Sequence, residues 1–162
     1  MSEYHMSEYH LVEGKQKLDS AKITIVASRF NSFVVDLLLD ACLATLKKSG
    51  LQDEDITVVR VPGAFEIPST VQYVIKHTSC DAVIALGAVI RGETPHFDYI
   101  CSECIRGLGQ ISLENDIPVI FGVLTVDNTE QAMDRAGEEE SNKGAEAAQA
   151  AIEMINIFRA LV

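Results

Sequence analysis

Asp81-Ala-Val-Ile-Ala-Leu-Gly-Ala-Val-Ile90 is the stretch whose reading decides the fold. A strand with one wet face alternates apolar and polar residues. This run does not alternate, so it reads as a strand buried on both faces, as in a parallel sheet covered by helices. It runs directly into Arg91-Gly-Glu-Thr-Pro-His96, a loop punctuated by Gly and Pro. Beyond the loop, Ile100, Cys104, Leu108 and Ile111 recur at the spacing of a helix face.

The same alternation extends outward in both directions. Upstream, Lys22 to Ala27 carries Ile23, Ile25 and Val26 and reads as a strand. Ser28-Arg29-Phe30-Asn31-Ser32 follows, with Asn31 or Ser32 as the expected helix N-cap. Phe33, Leu37, Ala41 and Ala44 then mark a helix that Gly50 is expected to cap. Ile56 to Val61 is a second β-branched run, broken by Pro62-Gly63. Pro68 suits the first turn of a second helix, with Val71, Val74 and Ile75 on its apolar face. Downstream, Pro118 to Leu124 is the fourth strand, and helices are expected over about Thr129–Arg135 and Asn142–Ala160. Alternating strands and helices imply a parallel sheet with helices on both faces. Right-handed crossovers narrow this to a flavodoxin-like three-layer αβα sandwich with a central four-stranded parallel sheet. Residues 22–162 are read as that domain and 1–21 as an N-terminal segment that is disordered or adds a strand to a neighbour's sheet. The segment opens with Met-Ser-Glu-Tyr-His twice over, too short a repeat to be structural.

Composition excludes several classes. The chain has 162 residues, a length suited to one core. With 24 acidic and 13 basic residues its net charge is −11, which repels phosphate backbones and argues against nucleic acid. No apolar run approaches the ~18 residues of a membrane span, and the polar start lacks a signal peptide's apolar core. A cytoplasmic location is expected. Cys101-Ser-Glu-Cys104 spells C-x-x-C, but it lies inside a helix with no further ligand pair at zinc spacing. These thiols, with Cys42 and Cys80, read as ordinary core or surface groups rather than a redox, metal or disulfide framework.

Ligands in doubly wound sheets bind beyond the carboxyl ends of the strands. Those ends hold Ser28–Asn31, Pro62–Glu66, Arg91–His96 and Thr125–Asn128. Taken singly, these residues leave two readings each. Phe30 is a core aromatic or a face for a flat ligand. Asn31 is a helix cap or a polar contact. Glu66 complements a helix dipole or accepts ligand hydrogen bonds. Gly92-Glu93-Thr94 is a tight loop or an anion nest of free N–H groups. His96 makes a structural hydrogen bond or moves protons, for which a pKa of ~6.5 suits it. Arg135 and Lys143 read alone as solvated helix residues, Phe121 as strand core, and His77 as a partner for the end of the second helix.

Together these stretches resemble the lumazine synthase family. The matching segments are Ser28–Asn31, Val61-Pro-Gly-Ala-Phe-Glu-Ile-Pro68, Gly87-Ala-Val-Ile-Arg-Gly-Glu-Thr-Pro-His-Phe97, Phe121–Thr125, Glu130–Ala132, Arg135–Gly137 and Asn142–Gly144. The likeness runs from about Lys22 to Phe158 with the family's order and spacing. It implies condensation of 5-amino-6-ribitylamino-uracil with 3,4-dihydroxy-2-butanone 4-phosphate to 6,7-dimethyl-8-ribityllumazine, in the penultimate step of riboflavin biosynthesis. It assigns Phe30, Asn31, Ala64, Phe65, Glu66, Ala88, Val89 and Ile90 to the pyrimidine and ribityl chain. Gly92, Glu93, Thr94 and Arg135 are assigned to phosphate, and His96 to acid–base catalysis. Phe121 and Lys143 are expected to reach into a neighbour's site. No metal or organic cofactor is implied. The implied partners are copies of the chain, as a pentamer or a shell of 60 subunits, and riboflavin synthase as an enclosed companion. The short turn Arg135–Gly144 favours the shell, while Glu138-Glu139-Glu140 departs from the family's basic or neutral residues there. Two other readings remain: an archaeal-type riboflavin synthase, against which the phosphate loop speaks, and a non-catalytic flavin-binding or shell-forming homologue.

Overall fold

The computed structural model describes residues 8–138 and 141–162. Most of the duplicated start, and Glu139 and Glu140 of the acidic turn, lie outside them. Four parallel strands form one sheet in the order β2-β1-β3-β4. They are β1 (Ile23–Ser28), β2 (Ile56–Val61), β3 (Ala82–Ile90) and β4 (Val119–Val126). The helices are α1 (Ser32–Lys48), α2 (Ile67–His77), α3 (His96–Glu114), α4 (Thr129–Ala136) and α5 (Lys143–Ala160). This is the flavodoxin-like sandwich expected from the sequence.

Alternate residues of the two central strands feed two cores. Ile25, Ala27, Ile84 and Leu86 point to one face, where Val34, Leu38, Ala148 and Ile152 of α1 and α5 cover them. Val26, Val83 and Ala85 point to the other, against Ile67 and Val71 of α2 and Leu108 and Ile111 of α3. The unbroken apolar run of β3 is thus the direct consequence of having two dry faces. Strand order reverses between β1 and β3, which opens the crevice used by ligands in such sheets.

Four local features refine the reading. Helix α1 ends at Lys48 with Ser49 as its cap, and Gly50 follows at φ 119°, where a side chain would also meet the Leu18 carbonyl. Asn31 does occupy the N-cap position of α1, but at φ 62° and without capping through its side chain. Strand β4 runs to Val126 rather than Leu124, because its register with β3 persists to the pair Ile90–Val126. Upstream of β1, the Asn156 amide donates to the carbonyls of Lys15 (2.8 Å) and Lys17 (3.0 Å). That stretch is therefore held on α5 of its own chain, and Leu18 and Ala21 belong to the core. No described helix is long and apolar enough to cross a membrane.

Candidate active site

The carboxyl ends of β1, β2 and β3 surround a cavity of about 650 Å³. Each end is fixed by its own short-range chemistry. After β1, Arg29 N donates to Val61 O (2.7 Å) and Phe30 N to Pro62 O (3.0 Å), tying the turn to the end of β2. The left-handed backbone of Asn31 then lets its amide cross to β3 and donate to Ala88 O at 2.8 Å. The side chain that cannot cap α1 instead braces the turn that carries Phe30. Phe30 is 71 % exposed and Phe65 is 56 % exposed, so two aromatic rings stand at the rim with much of their surface in water. Such rings are costly to leave wet and ready to cover a flat ligand.

After β2, a single turn of 3₁₀ helix over Ala64–Glu66 leads into α2. The Glu66 carboxylate folds back and accepts from Gly63 N at 2.9 Å. That bond engages Oε1, and Glu66 remains on the cavity wall. Ala64 is buried beneath, and Ala88, Val89 and Ile90 bring the end of β3 to the opposite wall.

After β3 comes the loop Gly92–Pro95. Arg91 N donates to Val126 O (2.9 Å), and the next backbone bond is from Asp98 N to Pro95 O (3.0 Å). Among the described residues, the N–H groups of Gly92, Glu93 and Thr94 thus find no backbone acceptor. They sit just ahead of the N-terminus of α3, whose dipole favours an anion. His96 is the first residue of that helix, exposed and on the cavity wall with Gly92 and Thr94. Glu93 stands between those two in the loop but is not itself part of the wall.

Four further wall residues were missed in the sequence. Pro62 and Gly63 read there only as a strand break, Ile100 as the apolar face of a helix and Phe97 only as the end of the matched stretch, yet all four line the cavity. Their signal was position, two being within one turn of His96. Arg91 was passed over as well. Its guanidinium lies 4.4 Å from the Phe97 ring centroid, with Nε donating to Asp127 Oδ1 at 2.9 Å. Its hydrogen bond to Asp127 holds the Arg91 guanidinium above its usual pKa, with Asp98 adding to the effect.

Phe121, Arg135 and Lys143 are not in this cavity. They line a second recess of about 450 Å³ between β4, α4 and α5. Strand β4 is an edge of the sheet, and Phe121 on it is 47 % exposed. Lys143 pairs with Glu146 at 2.9 Å, and Arg135 Nη1 donates to Gln131 O at 3.0 Å. One chain therefore carries two separate recesses. The first offers aromatic faces, a carboxylate, an anion nest and an imidazole, but no Lys or Arg among its lining residues. The second offers an aromatic ring and two cations.

The Cys101–Cys104 pair lines neither recess. All four cysteines are free. Burial pushes the Cys104 thiol up to about 11 and raises that of Cys101, so neither is a ready nucleophile. His77 closes α2 with its ring 4.1 Å from that of Tyr73.

Residues 20–159 match the family model described as 6,7-dimethyl-8-ribityllumazine synthase.

Proposed function

The chain belongs to the 6,7-dimethyl-8-ribityllumazine synthase family of riboflavin biosynthesis, and from this premise we propose that it catalyses the family's condensation itself. Its substrates are then 5-amino-6-ribitylamino-uracil and 3,4-dihydroxy-2-butanone 4-phosphate. The observation that carries the reading is the meeting of exposed Phe30, the Gly92 and Thr94 N–H groups without a backbone acceptor, and His96 around one cavity at the switch point of the sheet. An aromatic substrate, a phosphate and a proton carrier are what the reaction brings together.

In this reading the pyrimidine lies against Phe30, its edge on the main chain of Ala88–Ile90 and Asn31 beside it. The ribityl hydroxyls donate to Glu66, with the backbone of Ala64 and Phe65 alongside. The phosphate rests on Gly92, Glu93 and Thr94. The 5-amino nitrogen attacks the ketone carbon, and loss of one water gives the imine. Proton removal next to it expels inorganic phosphate into the nest. After tautomerisation the ribitylamino nitrogen closes on the remaining carbonyl, and a second water leaves. His96 passes protons between these atoms, a contribution of about 10²-fold. Most of the acceleration comes from holding the partners together, which is worth up to ~7–11 kcal/mol. No step calls on a metal or organic cofactor.

The half-site lacks a cation of its own, and Arg135, Lys143 and Phe121 gather at the edge strand. This supports a site completed by a second copy, with Arg135 on the phosphate, Phe121 over the pyrimidine and Lys143 at its polar edge. We assign that second copy to a neighbour in a cyclic pentamer, and the short Arg135–Gly144 turn favours closure into 60 subunits, with riboflavin synthase as an enclosed partner. The location that goes with this role is cytoplasmic, with 22–162 as the catalytic domain. The test is to mix the purified protein with both substrates and follow the absorbance and fluorescence of the lumazine. Product formation supports the reading. Flavin binding without product would replace it with the non-catalytic alternative.

A further inference from the structure

The loop Gly92–Pro95 has little to hold it in shape. Backbone bonds flank it at Arg91 and Asp98 and do not cross it. A Cβ added to Gly92 would meet nothing within 4 Å, so packing does not pin that residue either. Yet an anion nest works only if its N–H groups already converge, because donors that must reorganise lose their advantage.

The fastening lies in a side chain at the edge of the loop. Arg91 precedes the loop, and its Nη1 reaches Asp98 Oδ1 (3.4 Å) in the first turn of α3, beyond the loop's other end. Its Nε donates to Asp127 Oδ1 (2.9 Å) past the end of β4, and its guanidinium lies over the Phe97 ring. Asp127 is itself held, since its N–H donates to Gln131 Oε1 at 2.8 Å. One side chain thus joins both hinges of the loop to the neighbouring strand end. We propose that Arg91 is a positioning residue, strapping the phosphate loop and the start of α3 so that the Gly92–Thr94 donors and His96 keep one arrangement. This rests on the phosphosugar reading above.

The magnitudes separate this role from two simpler ones. The Arg91 side chain is 46 % exposed and its partners 59 % and 62 %, so solvent screens the pairs and they contribute little to global stability. The positive charge is already met by two carboxylates, so Arg91 is poorly placed to serve as the phosphate's own cation. What remains is geometry, where a misplacement of about 1 Å costs up to ~10²-fold.

The experiment uses the full-length assembled protein and the variants Arg91→Met, Arg91→Lys and Asp127→Asn. Steady-state kinetics in both substrates are combined with inorganic phosphate as inhibitor and with direct calorimetric titration of inorganic phosphate. Arg91→Met is expected to weaken phosphate inhibition and raise the KM for the butanone phosphate about tenfold, with the pyrimidine KM within about twofold. Asp127→Asn should do the same more weakly, and the double variant should be no worse than Arg91→Met alone, since both act through one contact. Arg91→Lys should recover only part of the loss, because an ammonium lacks the planar fork that spans two carboxylates. If Arg91→Met fails to fold, Asp127→Asn carries the test. Unchanged phosphate inhibition and KM, or equal losses for both substrates with a large fall in melting temperature, would overturn the proposal. A wild-type chain that binds phosphate but makes no lumazine would instead overturn the assigned reaction, and the calorimetric comparison of Arg91→Met with wild type would still decide the strap.

Discussion

A division of labour between two recesses makes a quantitative prediction. His96 lies on the cavity beyond β1–β3, and Arg135 lies in the recess on the edge strand. If each working site takes the first surface from one protomer and the second from the next, the two residues can be repaired by mixing. His96→Ala alone should slow turnover by about 10–10². Arg135→Ala alone removes a charge-assisted, bidentate contact worth ~1.5–3 kcal/mol, about 10- to 150-fold in butanone phosphate kcat/KM. In a head-to-tail ring assembled from equal amounts of both variants, an intact site needs its first surface from the Arg135→Ala chain and its second from the His96→Ala chain. Random assembly brings these together at about one interface in four, since each surface is intact in half of the chains. The mixed oligomer should recover about a quarter of wild-type activity, well above either parent. The assay is lumazine formation after co-expression, or after joint unfolding and refolding, compared with parents mixed only after assembly. Activity at the mean of the two parents would refute the shared site and return Arg135 to its own chain's chemistry or to none.

Three further outcomes test the fold beneath the site. Gly144→Ala should destabilise by about 3 kcal/mol or more in urea titrations, because its Cβ would collide with the Leu38 carbonyl oxygen and force α5 away from α1; an unchanged midpoint would mean that the helices can separate freely. Ser28 is buried, 1 % exposed, with a hydroxyl that has no partner, so Ser28→Ala should be neutral or stabilising by up to ~1 kcal/mol; a clear loss would mean that the hydroxyl is bonded in solution. Burial raises Cys42 to about 12 and Cys104 to about 11 from 9.0, so the unfolded thiols ionise first as pH rises. Stability should then be unaffected below pH 9 and fall between pH 9 and 11, by at most ~1.4 kcal/mol per unit for each thiol, and a Cys42→Ala, Cys104→Ala double variant that leaves this slope unchanged would contradict it.

How much was legible follows from how local each cause is. The sheet could be read because two-sided burial leaves a mark inside a single strand: Asp81–Ile90 has hardly a polar residue to spare. That Phe30, Gly92 and His96 share one cavity could be read because strand ends are where this architecture opens its ligand crevice. Asn31 was only half legible. Its position marks a helix start, but the left-handed backbone that sends its amide to Ala88 depends on how close β3 runs to that turn, and no local pattern records it. Arg91 was illegible for the same reason, since Asp127, which it binds, lies 36 residues away.

Gly92 shows what is gained when structure and sequence are held together. Within the chain nothing demands a glycine there. Its φ is not positive, and a Cβ would touch no atom within 4 Å. Gly144, by contrast, is forced by the Leu38 carbonyl, and Gly50 by its backbone angle and the Leu18 carbonyl. A residue that the fold does not require, set in a loop with free N–H groups beside a helix N-terminus, has its reason outside the fold. The same logic applies to the exposed ring of Phe30 and to the absence of a cation among the residues lining the His96 cavity. Each is a shortfall of the isolated chain: bare backbone, bare ring, uncompensated nest. In the proposed reading a phosphorylated and an aromatic substrate answer the first two, and the Arg135 face of a second copy answers the third.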